Sequence, residues 1–550
     1  MFTLVPFLHA IYVYRFAFPE RDFCSSINYE TMAWVPFTSP RLCLLSIFFF
    51  GLSSRICYGF GFGFDIHHRF SDPVKGVLGL DDLPEKGSLD YYVAMAHRDR
   101  LIRARHLAAS YGQSSPLTFA NGNDTLFISS LGFLHYANVS VGTPSLSFLV
   151  ALDTGSNLFW LPCDCKKGGC VTGLQTSSGE EIKLNIYSPN NSSTSEKLSS
   201  NSTLCRPSDQ CSSESSNCCY KTVNSRNTSS TGILVEDVLR LVTDDDQSKA
   251  VDARITFGCG QIQTGTFLMG AAPNGLFGLG MQDISVPSIL AKNGLTSNSF
   301  ALCFGLDGVG RINFGFNGSS DQSETPFNVR QSHPTYNISI TGITVGSNSS
   351  ELEFSAIFDT STAFTVLSDP AYTFISESFN SKVEEKRHAL HSEIPFEYCY
   401  ELRANQSTFK IPRINLTMKG GDDYFLKHPT ALIPTLEGGY LYCLALLKSE
   451  DINIIGQNFM SGYRIVFDRE KMILGWKDSN CYNDESSNTL PVSPSPSPAV
   501  SPVRPVIPVT TELNGNYSHT PAAAPSSYSP KLKSFTCTVT VLLVSFLAIV

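Results

Sequence analysis

The chain has 550 residues, more than one hydrophobic core usually accommodates, so we expect two or more packed units. Its formal net charge is -9, and no basic stripe runs along its body to neutralise phosphates. Composition and charge therefore give no support to nucleic-acid binding. They indicate a mildly acidic, globular middle region, and the two ends of the chain differ from it in composition.

The N-terminal end carries a targeting pattern. Arg41 precedes the apolar run Leu42–Leu52 (LCLLSIFFFGL), whose length suits the core of a secretory signal peptide better than a membrane span. We therefore predict an N-terminal extension and signal peptide over residues 1–59, with cleavage near residues 57–59. An uncleaved signal anchor is the alternative, and Met32 is a possible start site that would make residues 1–31 an upstream extension.

A basic segment follows the predicted signal. The stretch Phe64–Val74 reads FDIHHRFSDPV, and His97–Leu107 reads HRDRLIRARHL, with four arginines close together. A cationic segment ahead of an acidic body is typical of a propeptide that covers an acidic cleft, and we assign residues 60–125 to it. A solvated helix is the alternative reading of the same charges.

The cysteines indicate an oxidising compartment. Of 16 cysteines, all but Cys24, Cys43, Cys57 and Cys537 lie in the middle of the chain, which leaves an even number there. Glycan acceptor sites are dense in the same region, at Asn138, Asn201, Asn227, Asn317, Asn337 and Asn415. Together with a signal peptide they predict a disulfide-bonded secreted glycoprotein. The close spacing of Cys163, Cys165 and Cys170 also suits zinc, but secretion argues against free thiolates, and we expect no metal or other cofactor.

The middle of the chain, residues 126–482, alternates short apolar runs with Gly, Asn and Ser clusters, which predicts a mostly β structure. After it, residues 483–534 are rich in Pro and Ser and read as an extended stalk. The apolar tail 535–550 follows a polar spacer and the small residues 522–524, a pattern typical of a GPI-attachment signal. A short tail anchor is the alternative.

One element occurs twice. Val150–Pro162 reads VALDTGSNLFWLP and Ala356–Leu367 reads AIFDTSTAFTVL, so each copy places an aspartate between a buried strand and a Thr-containing turn. Each is followed later by two apolar residues and a glycine, in Leu276–Gly278 and Ile454–Gly456. A single Asp-Thr turn is ordinary turn chemistry. The duplication predicts two similar β lobes, residues 126–315 and 316–482, each presenting one carboxylate to a shared cleft.

The motifs around this repeat resemble those of the pepsin-type aspartic proteases, and in particular their plant, nepenthesin-like branch. The resemblance covers residues 126–482 and is carried by DTGSNLFWLPCDC, TSSTGILVEDVL, NGLFGLG, SVPSILAKNGL and IIGQNFMSGYRIVFD. The phrase FDIHHRFSDPVKG resembles the propeptide of one plant subgroup. The resemblance implies an all-β, bilobal pepsin-like fold, with the active-site cleft between two β-barrel-like lobes. It implies a zymogen that yields an aspartic endopeptidase acting on polypeptides in acid. With the predicted tail signal, we expect a monomer held at the cell surface.

Carried over residue by residue, the resemblance assigns Asp153 and Asp359 as the catalytic pair that activates a water. The supporting positions and a disulfide candidate follow from the same motifs. Thr154 and Thr360 are expected to brace the two loops, and Gly155 and Ser361 are expected to supply backbone amides. Ser156 and Thr362 are expected to hydrogen-bond the outer carboxylate oxygens. Trp160 is expected to pack near the flap, and Cys399 and Cys443 are expected to form a disulfide.

Two departures from the family pattern bear on activity. Relatives usually carry glycine at the position of Ser361, and an added Cβ there is expected to push Asp359 out of plane. The flap tyrosine of relatives falls at Asn224 here, with Tyr220 the nearest tyrosine and more typical of a strand residue. A catalytically weakened homologue that acts as a binding or inhibitory protein is therefore the alternative function. The Pro-rich stalk alone would also suit a structural wall glycoprotein.

Overall fold

A computed structural model describes residues 61–69, 71, 74, 85–96, 99, 133–175, 181–205, 217–225, 228–242, 249–305, 309–328, 334–389, 394–402, 406, 409–435, 439–481 and 509–511. The predicted signal peptide, the hydrophobic tail and most of the stalk lie outside these residues. Among the described residues, no helix is both long and apolar enough to cross a membrane.

The first half of the described chain is built mainly of strands. In chain order they are β1 (Phe62–His68), β2 (His135–Val141), β3 (Leu146–Asp153), β4 (Trp160–Pro162), β5 (Gly173–Gln175), β6 (Glu181–Lys183), β7 (Glu196–Lys197), β8 (Cys219–Ser225), β9 (Thr228–Val242), β10 (Ala250–Gln263), β11 (Leu276–Gly278), β12 (Ser299–Phe304) and β13 (Val309–Phe314). One α-helix, Val286–Lys292, and two short 3-10 turns, Pro189–Asn191 and Gly265–Phe267, interrupt them. Residues 89–96 are also helical.

The second half repeats this character. Its strands are β14 (Ser323–Pro326), β15 (Asn337–Val345), β16 (Asn348–Ser350), β17 (Phe354–Phe358), β18 (Thr365–Ser368), β19 (Cys399–Leu402), β20 (Phe409–Ile411), β21 (Ile414–Met418), β22 (Asp423–Phe425), β23 (Thr430–Pro434), β24 (Tyr440–Leu444), β25 (Leu446–Ser449), β26 (Ile454–Ile455), β27 (Tyr463–Asp468), β28 (Ile473–Asp478) and β29 (Val509–Thr511). The helices Ala371–Asn380 and Gln457–Met460 accompany them.

Burial follows the alternation expected of strands with one face on a core. In β23 and over most of β15, buried residues alternate with partly exposed ones. β3 differs, because residues 148–153 are buried without interruption, as in a strand covered on both faces. The strand that leads to Asp153 is thus enclosed by the fold, and the predicted all-β class is confirmed.

One sheet joins the two halves. Its 14 strands run in the order β14-β28-β27-β12-β13-β1-β2-β3-β11-β4-β10-β9-β7, with β8 paired to β9. β27 and β28, from the end of the second half, thus lie beside β12 and β13 of the first. An 8-stranded sheet of order β22-β21-β15-β17-β26-β18-β25, with β16 paired to β15, belongs to the second half alone. The bilobal arrangement therefore has a shared sheet between its lobes.

The hydrophobic core also runs through this junction. Phe300 of β12 stacks on Phe467 of β27 with ring centroids 4.7 Å apart, and the Tyr336 hydroxyl donates to the Leu279 carbonyl at 2.6 Å. Both phenylalanines are fully buried. Because aromatic side chains bury large apolar areas, this stack adds apolar packing to the strand pairing between the two halves.

Five disulfides link described cysteines. They are Cys163–Cys259, Cys165–Cys170, Cys205–Cys218, Cys303–Cys481 and Cys399–Cys443. The last is the pair that the resemblance implied. Cys163 and Cys259 lie near Asp164 in a cluster with metal-ligand spacing, but their sulfurs are bonded to each other and so offer no thiolate to a metal.

Strand β1 lies within the segment assigned to the propeptide. It is inserted between β13 and β2, with Phe62 opposite Phe314 and His68 opposite His135. Ile66 is fully buried. Part of the predicted propeptide is thus a component of the central sheet. Within the predicted stalk, β29 pairs in parallel with β20.

Candidate active site

Each aspartate of the repeat lies where a buried strand ends. β3 ends at Asp153 and pairs in parallel with β11, which in turn contacts β4. β17 ends one residue before Asp359 and pairs in parallel with β26, which contacts β18. Both halves therefore form the same unit, in which the chain leaves one strand at an aspartate, turns, and returns on the far side of a third strand.

The two glycines of the repeat lie where this third strand approaches the aspartate loop. A Cβ on Gly278 would lie 2.5 Å from the backbone carbon of Asn157, and one on Gly456 would lie 2.7 Å from that of Phe364. Real Cβ atoms do not approach backbone so closely. The apolar-apolar-Gly phrase seen twice in the sequence is thus a steric requirement of each loop.

A threonine bridge ties the two loops together. Thr154 and Thr360, 206 residues apart, place their hydroxyl oxygens 3.2 Å from each other. The Thr360 amide also donates to the Thr154 hydroxyl at 3.1 Å. The bridge is buried, and it places the residue that follows Asp153 against the residue that follows Asp359.

Asp153 is held by its own loop. Its carboxylate is fully buried. The Gly155 amide donates to Oδ1 at 2.9 Å and the Ser156 hydroxyl donates to Oδ2 at 2.5 Å. Each carboxylate oxygen thus has a donor, which is the condition for burying an acidic group at tolerable cost.

Asp359 is held in the same way, with one addition. It is 1% exposed. The Ser361 amide donates to Oδ1 at 2.9 Å and the Thr362 hydroxyl donates to Oδ2 at 3.1 Å. The Ser361 hydroxyl also donates to Oδ1, at 2.6 Å. The side chain that we expected to push Asp359 aside is instead turned towards the carboxylate as a further donor.

Among the described residues, the hairpin of β8 and β9, which the resemblance predicts to be the flap, carries one tyrosine, Tyr220. Tyr220 on β8 is buried, shares a hydrogen bond with Ser230 at 2.9 Å, and packs where a Cβ on Gly258 would lie. Burial raises the pKa of its hydroxyl well above the ordinary value. Tyr220 is thus a buried strand residue, as its position suggested, and Asn224, where the resemblance places the flap tyrosine, lies on the same strand β8.

Trp160 lies on β4 beside this hairpin. It is fully buried and contacts the ring of Phe267 with centroids 5.0 Å apart. No described residue accepts a hydrogen bond from its indole nitrogen. Trp160 is thus packed in the interior, and the role near the flap that the resemblance implies for it stays a prediction.

The N-terminal segment covers the Asp359 side of the site. The Asp99 carboxylate, 2% exposed, accepts the amides of Ala363 and Phe364 at 2.9 and 2.7 Å. In the preceding helix, residues 89–96, the Tyr92 ring lies 6.2 Å from that of Phe364. We did not single out Asp99 from the sequence. The only feature of the sequence that marks Asp99 is that it is the one acidic residue in an otherwise basic run.

Comparison with known proteins identifies the family. Residues 135–316 match the family described as "Xylanase inhibitor N-terminal" and residues 335–478 match "Xylanase inhibitor C-terminal". The chain is 56% identical over 514 residues to "Aspartyl protease family protein 1" of Arabidopsis thaliana, which covers 92% of this chain and 99% of the relative. It is 37% identical over 477 residues to "Aspartic proteinase-like protein 1" of the same plant, covering 83% of this chain and 88% of the relative.

The fold has a counterpart among solved structures. Conglutin gamma from lupine seeds superposes with a TM-score of 0.50 at 19% sequence identity, over 65% of this chain and 95% of that one. This likeness bears on the fold alone. The relatives and the family matches above confirm the resemblance drawn from the motifs. The chain belongs to the plant family of pepsin-like aspartic proteases.

The threonine bridge gives a direct test of the site's construction. Thr154→Val keeps the shape of the side chain but removes its hydroxyl, which leaves the buried Thr360 amide without this acceptor. We expect the free energy of unfolding in denaturant to fall by about 1–3 kcal/mol. Thr154→Ser, which retains the hydroxyl, is the control. Equal stability of the two variants would contradict the role given to the bridge.

Proposed function

We propose that this protein is an aspartic endopeptidase, which hydrolyses peptide bonds of polypeptide substrates in acid through a water activated by Asp153 and Asp359. The observation that carries the proposal is the pair of matching loops, in which two buried carboxylates are each held by their own donors and joined by the Thr154–Thr360 bridge. The names of the most similar relatives support the same reaction.

The chemistry follows from placing two like groups together. In aspartic proteases generally, two neighbouring carboxyl groups share one proton, because two like charges so close together do not both form at low cost. The ionised carboxylate takes a proton from water, and the remaining hydroxide oxygen bonds to the peptide carbonyl carbon. The protonated carboxyl hydrogen-bonds the carbonyl oxygen. The C–N bond then breaks and the amine leaves with a proton, so no covalent enzyme intermediate is required.

The alternative is a weakened homologue that binds or inhibits a partner. Besides the departures at Ser361 and at the flap position, the description of the matching family as xylanase inhibitors supports it. Against it, both aspartates are present, each with an amide donor and a hydroxyl donor. A site that only binds a partner does not require two buried carboxyl groups.

Cleavage of a denatured protein is the direct test. After removal of the N-terminal segment, we expect hydrolysis between about pH 3 and 6 that pepstatin blocks. Asp153→Asn removes one acid of the pair and should lower the rate by about a thousandfold or more. Asp252→Asn makes the same change at an exposed site on β10 and should have no effect. A wild type without cleavage would favour the binding protein.

We further propose that residues 60–125 act as a propeptide. The support is the burial of Asp99 against the amides of Ala363 and Phe364, immediately after the Asp359 loop, and the packing of Tyr92 beside them. A charged acceptor binds amides more strongly than a neutral one. Protonation of Asp99 in acid would therefore weaken the cover and favour opening of the cleft.

Asp99→Asn tests this cover. The change removes the charge and leaves the shape nearly intact, so we expect the unprocessed protein to cleave a small fluorogenic peptide several-fold faster and to mature at higher pH. Asp90→Asn, in the same segment but exposed, is the matched control. If both variants mature at the same rate and pH as the wild type, Asp99 does not hold the cover.

We also propose that the mature protein is a secreted, disulfide-bonded glycoprotein and a monomer, held at the outer face of the plasma membrane by a GPI anchor. The predicted signal and tail motifs and the five disulfides support secretion and anchoring. Several acceptor asparagines are exposed, at Asn138, Asn201 and Asn317, as glycosylation requires. Asn415 is only 7% exposed and is the least suitable of them.

The anchor has a simple biochemical test. Phosphatidylinositol-specific phospholipase C should release the protein from the membrane fraction of cells that express it, because the enzyme cuts the lipid from a GPI anchor. A variant that ends at residue 534 should be secreted without the enzyme. Retention of the full-length protein after complete digestion would instead favour a tail anchor.

A further inference from the structure

Two consecutive backbone amides bind one carboxylate beside the Asp359 loop. The Ala363 amide donates to Oδ1 of Asp99 at 2.9 Å, and the Phe364 amide donates to Oδ2 at 2.7 Å. Each oxygen of the carboxylate thus meets its own N–H group. Successive amides held in a turn are a recurrent means of binding an anion, and two parallel donors match a carboxylate better than they match a single carbonyl oxygen.

The surroundings of the two amides strengthen these hydrogen bonds. The Phe364 ring packs edge-on against Phe396 with centroids 4.9 Å apart, and both rings belong to an apolar cluster that also contains Ala363. All three residues are buried, as is Asp99. A hydrogen bond to a charged acceptor gains strength where water is excluded. The amides therefore lie in a setting that favours an ionised partner.

The donors and the acceptor belong to different parts of the chain. Ala363, Phe364 and Phe396 lie in the second half, whereas Asp99 lies in the segment that we propose is removed. Tyr92, whose ring lies 6.1 Å from that of Phe396, leaves with the same segment. Processing therefore takes this acceptor from the two amides, and a carboxylate supplied by a substrate would restore both hydrogen bonds.

The two amides lie close to the catalytic pair along the chain. Ala363 follows Asp359 by four positions, so their Cα atoms are at most about 14 Å apart. An extended substrate advances about 3.3–3.6 Å per residue. A peptide bond held at Asp359 therefore places the amides within reach of a side chain about four substrate residues away or fewer.

We propose that the processed enzyme has a carboxylate-binding subsite formed by the amides of Ala363 and Phe364. Through it the enzyme selects polypeptides that carry an Asp or Glu side chain within about four residues of the cleaved bond. The inference rests on the proposed endopeptidase activity. In the unprocessed protein, Asp99 occupies the place of that acidic substrate residue.

Other titratable groups near the subsite act in a known direction. Among the described residues of the second half, His428 lines the same cavity as the two amides, and its neighbour Lys427 pairs with Asp478 at 2.7 Å. The other titratable residues that line this cavity belong to the removed segment: His68, Lys86, Tyr91 and Tyr92. Protonation of His428 or of Asp359 in acid makes the site more favourable to an anion. A preference that is lost in acid must therefore come from protonation of the substrate carboxyl group.

Matched peptides test the specificity. Starting from one peptide that the processed enzyme cleaves, Glu and Gln are placed in turn at about four positions on either side of the cleaved bond. At one position, Glu should give a kcat/KM about tenfold above that of Gln near pH 5.5, the size expected for a hydrogen bond to a charged group. Near pH 3 Glu is protonated, and the ratio should fall towards one. Equal rates for Glu and Gln at every position would overturn the inference and leave the endopeptidase activity established.

A binding measurement separates the subsite from the activity. A fluorescent peptide of residues 85–103, amidated at its C-terminus, should bind the processed protein about tenfold more tightly than the same peptide with Asp99→Asn. Amidated peptides with an internal Glu should displace it better than their Gln counterparts. Displacement only by peptides with a free C-terminal carboxylate would assign the site to chain ends and overturn the inference. A processed protein that distinguishes the two labelled peptides but cleaves nothing would overturn the proposed function and retain the subsite.

A substitution in the protein locates the binding groups. Ala363→Pro removes one of the two N–H groups, so the difference in affinity between the Asp99 peptide and its Asp99→Asn form should shrink. Ala363→Gly keeps the N–H group and should preserve the difference. An undiminished difference in a folded Ala363→Pro protein would show that the carboxylate binds elsewhere. If thermal unfolding shows that Ala363→Pro is not folded, the peptide comparisons on the wild type decide.

Discussion

The whole molecule is arranged around the cost of burying two carboxylates together. Asp153 and Asp359 are 0% and 1% exposed, and two acids so placed are unfavourable unless each oxygen has a donor and the geometry is held fixed. The loops supply the donors. The Thr154–Thr360 bridge supplies the fixed geometry, since it joins two residues 206 apart in sequence, each of which directly follows one of the aspartates.

The rest of the fold keeps the bridge in place. Each loop is held from below by a third strand whose glycine, Gly278 or Gly456, allows contact that any Cβ would prevent. The shared sheet places β27 of the second half beside β12 of the first, and the stack of Phe300 on Phe467 fills the junction. Strand pairing and apolar packing therefore position the two halves relative to each other. The same contacts bring Thr154 and Thr360 within hydrogen-bond distance.

Much of this could be predicted from the sequence, because duplication makes local signals reinforce each other. One Asp-Thr turn is uninformative, but two copies, each with a later apolar-apolar-Gly phrase, predicted the two lobes and the pair of acids. The roles of the supporting threonines followed from the resemblance to the family. The class of fold followed from alternation along the strands. The two family matches cover the two halves of the chain that carry these motifs.

The parts that escaped prediction depend on distances rather than on patterns. From the sequence, the Cβ of Ser361 was expected to collide with the Asp359 loop. In the fold there is room for this side chain, and its hydroxyl donates to the carboxylate. Asp99 reads as one acid in a basic run, and only the fold brings it to the amides of Ala363 and Phe364. β1 reads as propeptide, yet it pairs with strands from distant parts of the chain. Contacts of this kind are set by the tertiary structure.

The central claim is that Asp153 and Asp359 act as one catalytic unit. Initial rates of acid cleavage by the processed protein, compared for Asp153→Asn, Asp359→Asn and the double variant, test it most directly. When two residues act as one catalytic unit, the losses of rate caused by their separate substitutions do not add in the double variant. Each single variant should fall to nearly the rate of the double variant. If either single variant keeps most of the wild-type rate, or if the two losses multiply in the double variant, the two aspartates do not share one reaction.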